Sequence, residues 1–273
     1  MNKTIEHTAQ GTVAATDIAD WLLSRGIPLV STREAAHLLG VKQDHVRQRL
    51  APLRRRCLLA TAGRGLWIPV PPDRRAWGAP EPIAYIDAMM EQFDTEYCVG
   101  WLSAAAIHGA GHQAAQTFDV AASRALRDRT VGRSMLRFRQ RSDVAAIPTK
   151  RISLPAGRAN VATVEACMLM LASDAEFSGG LDNVVTAIVE LSESAAFSPE
   201  LLANASGAFS RSAARRVGWA LDKFGEGVDT TALHRRCASF GEAPSVLNPA
   251  HPAKGRINKK WSVIENGEVD PDL

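Results

Sequence analysis

Residues 31 to 50, "STREAAHLLGVKQDHVRQRL", constrain the fold more than any other stretch, because they encode two short helices and the turn between them. Ser31-Thr32-Arg33-Glu34 is a capping box: the serine hydroxyl can take an orphan backbone N–H, and the glutamate can reach back to the cap. The helix it opens is expected to bury Ala35, Leu38 and Leu39. Gly40 supplies the turn, since a residue without Cβ takes positive φ at little cost, and Val41 closes it. From Gln43 a second helix places Val46, Leu50 and Leu53 at i, i+4 and i+7, which is a core stripe. Its opposite face carries Asp44, Arg47, Gln48, Ala51 and Arg55, flanked by His45. Pro52 is expected to end or kink this helix between Gln48 and Ala51, with residues 52–56 as a separate final turn.

Helix, glycine turn and a second helix with polar donors outward is the spacing of a helix-turn-helix, whose second helix enters a major groove. Arginine and glutamine can make bidentate contacts with guanine or adenine edges, while lysine and the first N–H groups of a helix mainly fix phosphates. Before this pair, a helix from Asp17 with Ile18, Trp21 and Leu22 on one face ends at Gly26. After it, "CLLATAGRGLWIPV" reads as a β-hairpin with a glycine-rich tip that carries Arg64. The order predicts a winged helix-turn-helix over residues 16–70 behind a loose arm at 1–15. The DNA-contacting set expected from it is Thr32, Lys42, Gln43, Asp44, His45, Arg47, Gln48, Arg55 and Arg64.

Five prolines in "PVPPDRRAWGAPEP" suggest a linker, placed at 71–82, ahead of a second domain at 83–273. There Ile83, Ile86, Met90 and Phe93 form a helical stripe, and "YCVGWLSAAAIHGA" reads as one buried helix. "TFDVAA", "SMLRFRQ" and "KRISL" alternate as strands, and helices follow near 163–173, 180–192, 198–207 and 210–224. Strands early and helices late make an α+β domain. Arg133, Arg137, Arg139 and Arg141 share one parity along a strand, so they would line one sheet face, with Arg151 on the next strand. Without interspersed acids they would repel one another unless an anionic partner met them; a solvated face is the plain alternative.

The net charge of +3 conceals an uneven distribution. Residues 1–79 hold 12 Lys/Arg against 6 Asp/Glu, and residues 124–158 hold 10 against 2. Two basic islands on an acidic background suit a protein that meets phosphates. No apolar run approaches the roughly 20 residues that span a bilayer, so a cytoplasmic chain without membrane contact is expected. The four cysteines stand far apart and suggest reduced thiols, neither a zinc ribbon nor a disulfide framework. His108 and His112 have the i, i+4 spacing of zinc ligands, but the glutamate of HExxH is missing and two glycines intervene. GxxxxGK[ST], GxGxxG and GxSxG are absent, and no catalytic centre, metal or cofactor is expected.

The hairpin segment "GRGLWIP", then "YCVGWLSAAAIHGAGHQAAQTFDVAA", "ISLPAGRANVATVEACMLML", "RRVGWALDKFG" and "LNPAHPAKGRINKKWSVIEN" together resemble the AbiEi-type antitoxins of type IV toxin-antitoxin systems. The resemblance implies a non-enzymatic protein without cofactor. Its N-terminal winged helix would repress the operon's own promoter, reading double-stranded DNA at an inverted repeat as a possible homodimer. Its C-terminal domain would neutralise a cognate nucleotidyltransferase-like toxin. The resemblance gives residues 43–51 and Arg64 the DNA-contacting role. A ligand-responsive winged-helix regulator is the alternative from another class.

Overall fold

The computed structural model of the chain describes residues 12–63, 65–110, 117–154, 157–241 and 243–272. Contacts divide the chain into two units, each assembled from three stretches. Unit 1 takes residues 1–97, 116–141 and 151–160, and unit 2 takes 98–115, 142–150 and 161–273. The architecture is mixed α+β with several sheets.

Unit 1 begins with α1 (Ile18–Ser24), β1 (Val30–Ser31), α2 (Thr32–Leu39), α3 (Gln43–Arg55), β2 (Leu59–Thr61) and β3 (Leu66–Pro69). Ser31 and Glu34 form the capping box, with the carboxylate accepting from Ser31 N at 2.7 Å and the serine hydroxyl accepting from Glu34 N at 3.2 Å. Ile18, Leu22, Leu38, Val46, Leu50, Leu53, Leu59 and Trp67 meet in one apolar core. β3 is central in a three-stranded sheet, pairing Val30 with Trp67 on one side and Leu59 with Pro69 on the other, both antiparallel.

α2 and α3 stop by the same device. Gly40 adopts φ +63, its N–H donating to His37 O and that of Val41 to Ala36 O. At the end of α3 the pattern repeats with Cys57 at φ +53, its N–H donating to Arg54 O and that of Leu58 to Leu53 O. This corrects the expectation at Pro52: the helix runs through the proline to Arg55. Buried Leu50 and Leu53, on either side of the proline, anchor the last turns to the core, which offsets the one backbone bond that proline cannot make.

The proline-rich segment is folded. Residues Pro72–Trp77 form a 3-10 helix, and a second 3-10 turn covers Pro82–Ala84. The division between units falls at residues 97/98, beyond this segment. Unit 1 continues with α4 (Ile86–Gln92). A six-stranded sheet draws most of its residues from unit 1 and the rest from unit 2. Its strands are β4 (Tyr97–Val99), β5 (Thr117–Ala122), β6 (Arg129–Val131), β7 (Ser134–Gln140), β8 (Thr149–Leu154) and β9 (Gly157–Ala162), in the order β6-β7-β5-β4-β9-β8. β5 and β7 are parallel, with Asp119 opposite Arg137, and β6 runs antiparallel to β7.

Unit 2 holds α5 (Trp101–Ile107), α6 (Val164–Ser173), α7 (Leu181–Ser192), α8 (Pro199–Ala205), α9 (Arg211–Phe224) and α10 (Thr231–Ala238). A small sheet follows, from β10 (Ser245–Val246), β11 (Arg256–Asn258) and β12 (Val263–Glu265). Residues Val164 to Ala172 of α6 are all buried, the mark of a helix at the centre of a core. "YCVGWLSAAAIHGA" is not one helix but β4, then α5 after Gly100. A continuous apolar run reads alike for a buried strand and a buried helix, and here Gly100 divides the two.

Candidate nucleic-acid interface

α3 has two faces of opposite character. Val46, Leu50 and Leu53 are buried, whereas Lys42, Gln43, Asp44, His45, Arg47, Gln48 and Arg55 are all exposed. Arg49, Arg54 and Arg56 are exposed as well, although the face expected from the sequence, Asp44, Arg47, Gln48, Ala51 and Arg55, did not include them. Among the described residues, the side chains of Lys42, Arg47, Arg49, Arg54, Arg55 and Arg56 make no ion pair. A helix of 13 residues is about 20 Å long, and a face with such an excess of unpaired cations draws anions by long-range attraction.

The hairpin of β2 and β3 stands beside it in unit 1. Its glycines Gly63 and Gly65 take φ of +103 and +88. Arg64, between them, lies outside the described residues. Thr32 is half-buried and committed within the fold: its N–H donates to Gly65 O at 2.7 Å, and its hydroxyl accepts from the Trp67 indole at 3.1 Å. Sequence reasoning gave no hint of Arg129, whose Nη1 donates to Ala62 O at 2.7 Å from β6.

The arginine strand is differently made. Arg137 donates to Asp119 Oδ1 at 2.7 Å, and the Asp119 side chain is wholly buried beneath it. Burial pushes the Asp119 carboxyl above the ordinary carboxylate range, and the Arg137 guanidinium opposes that shift. The expectation of arginines without an internal counter-charge is therefore corrected at Arg137, because the acid comes from the neighbouring strand rather than from β7 itself. Arg133 is exposed, with its guanidinium 5.4 Å from the Trp77 ring centroid. Arg139 is exposed and Arg141 half-buried, and both engage other groups of the chain. Arg151 donates to Asp87 at 2.6 Å, and the same carboxylate accepts from Tyr97 at 2.9 Å.

Little of unit 2 invites chemistry. His108 Nε2 donates to Ala162 O at 2.7 Å, and His112 lies outside the described residues. Among the described residues no three His, Cys, Asp or Glu side chains gather as a metal site would require. All four cysteines are free thiols; burial pushes Cys237 up to about 11 and Cys167 further up. Arg215 and Arg216 of α9 are buried and spend their guanidinium groups on backbone carbonyls: Gly241 and Ala243 for Arg215, Ala172 and Val246 for Arg216. No helix among the described residues is long and apolar enough to cross a membrane.

Residues 98–223 match the family of the AbiEi antitoxin C-terminal domain. Over these residues the chain is similar to that antitoxin domain. The AbiEi match begins inside β4 and ends one residue short of the end of α9, so it includes β5 to β9 and the buried helix α6. Beyond the matched residues, the fold is similar to a solved structure, the crystal structure of the RV2827C protein from Mycobacterium tuberculosis. That likeness has a TM-score of 0.66 at 16% identity and covers 92% of this chain and 90% of the other. At this identity the likeness is one of fold. No curated protein matches the chain.

Proposed function

We propose that residues 16–70 form a winged helix-turn-helix and that α3 enters the major groove of DNA upstream of the chain's own gene. Two copies of the chain read an inverted repeat there, with half-sites about 34 Å apart or at a multiple of that spacing. The observation that carries this reading is the outer face of α3, where exposed Arg47 and Gln48 stand among cations that form no ion pair among the described residues. Lys42, Gln43, Asp44, His45 and Arg55 flank them on the same element, and Arg64 would lie at the wing. Arg133, Arg139 and the neighbouring basic residues of the sheet add phosphate contacts in this reading, which would steepen the salt dependence of binding.

The AbiEi domain supports a role as the antitoxin of a toxin-antitoxin system. In our reading the partner is a nucleotidyltransferase-like toxin, silenced through the C-terminal part of the chain by binding and without catalysis or cofactor. A footprint of the full-length protein on its upstream DNA at near-physiological salt tests the first half. A discrete, two-fold repeat is the expected result, and diffuse protection would overturn it. Growth rescue on co-expression with the neighbouring toxin gene tests the second half.

A cleft of 1020 Å³ in unit 1 favours a second reading, a regulator that releases DNA on binding a small molecule. Leu23, Ile27, Pro69, Pro71 and Leu154 line it, with Arg158 among them. Protected DNA that stays protected in the small-molecule fraction of a cell extract would remove this alternative.

A further inference from the structure

The tip of the β2–β3 hairpin is fastened on both sides. On one side Gly65 O accepts from Thr32 N at the start of α2. On the other, Ala62 O accepts from Arg129 Nη1 at 2.7 Å, across 67 residues of chain. The Arg129 guanidinium also stands 4.8 Å from the Phe93 ring centroid, and Ala62 is completely buried beside it. A Cβ placed on Gly63 would come within 2.0 Å of the same Nη1, so only glycine leaves this approach open.

This arrangement is costly for a side chain that merely fills space. Arg129 Nε is buried without a hydrogen-bond partner, and among the described residues no carboxylate pairs with the guanidinium. Burial lowers its pKa, yet a guanidinium stays charged at neutral pH. A leucine or methionine would pack on Phe93 at less cost. What arginine supplies and an apolar side chain cannot is a charged donor aimed at one carbonyl of a tip whose two glycines otherwise have wide backbone freedom.

We infer that Arg129 is a positioning residue for DNA binding: it holds the hairpin tip in the geometry in which the wing meets the duplex. Removing that freedom before binding lowers the entropic cost of the complex. Because Arg129 lies inside the AbiEi match, DNA affinity depends on a strand of the antitoxin domain as well as on the first 70 residues. The inference rests on the DNA reading above.

Full-length Arg129→Met and Arg129→Lys proteins test it by amide hydrogen exchange and by footprinting on the upstream DNA. Arg129→Met should shift the unfolding midpoint by no more than about 3 °C. It should speed exchange at residues 61–66 by about tenfold and weaken promoter binding by about tenfold, the order of one lost hydrogen bond. Protection should shrink at the margins of the footprint and persist at its centre. Arg129→Lys should recover part of the affinity, since its ammonium can donate to the same carbonyl, and it carries the test if the methionine variant does not fold. Unchanged exchange at the tip, or faster exchange with undiminished affinity, would overturn the inference. A wild-type chain that protects no DNA would remove the DNA reading and this inference together, whereas protected wild-type DNA with an unaffected Arg129→Met removes the inference alone.

Discussion

α3 and β7 carry arginine at similar density and treat it in opposite ways. On α3 the guanidinium groups of Arg47, Arg49, Arg54 and Arg55, and that of Arg56 just after it, are exposed and take no ion-pair partner among the described residues. On β7, Arg137 is drawn down onto a buried aspartate of the adjacent strand. The cause is the neighbourhood. The outer face of a surface helix meets only solvent, while a strand inside a sheet receives side chains from both flanks. A run of arginines thus marks an interface only once the elements beside it are known.

The largest test of this contrast is Arg137→Ala, which leaves the Asp119 carboxylate buried without its cation. A loss of about 3 kcal/mol in urea unfolding is expected at neutral pH, in line with breaking a buried pair. The sign of its pH dependence is fixed. Burial already holds the folded-state pKa of Asp119 above its unfolded value, so its contribution is present at low pH and fades as pH rises through the folded pKa. Removing Arg137 raises that pKa further. The variant should therefore fall further behind wild type at pH 7 than at pH 4, and equal deficits would show that the pair is not ionic.

Arg47→Ala should do the reverse. We expect it to cost about 1–3 kcal/mol in cognate DNA binding and to relax specificity, with stability changed by less than about 0.5 kcal/mol. A large drop in unfolding midpoint would erase the distinction between the two regions. Next in size is Cys57→Gly, which relieves a side chain from the left-handed region at the end of α3 and should stabilise the fold by about 1 kcal/mol. No gain would mean that the stop at Cys57 does not set the helix end. Smallest is Arg55→Ala: the slope of log K against log salt should fall by about one, with stability essentially unchanged.

Local signals made much of the first 70 residues legible. The Ser31–Glu34 box, the Gly40 turn and the Val46, Leu50, Leu53 stripe each depend on residues a few positions apart, and each stands where the sequence put it. TFDVAA and SMLRFRQ coincide with β5 and β7 for the same reason. Pro52 misled because its penalty is local, while the burial of Leu50 and Leu53 that outweighs it is tertiary. Asp119 beneath Arg137 and Arg129 at Ala62 are pairings across strands and across long loops, and periodicity along one segment carries no trace of them. Likewise the match to the AbiEi domain covers the region where motifs in the chain were weakest, since a family signal sums many small preferences that no single spacing reveals.

The two units exchange the chain five times, at residues 97/98, 115/116, 141/142, 150/151 and 160/161. The AbiEi match, by contrast, begins at the first of these crossings and runs straight through the other four. A recombination event that traded everything before residue 98 between two such genes would deliver a mismatched graft: the new helices and hairpin would arrive without the strands that complete their unit. Genes built this way should diversify by coordinated substitution along the whole reading frame, not by shuffling an N-terminal cassette.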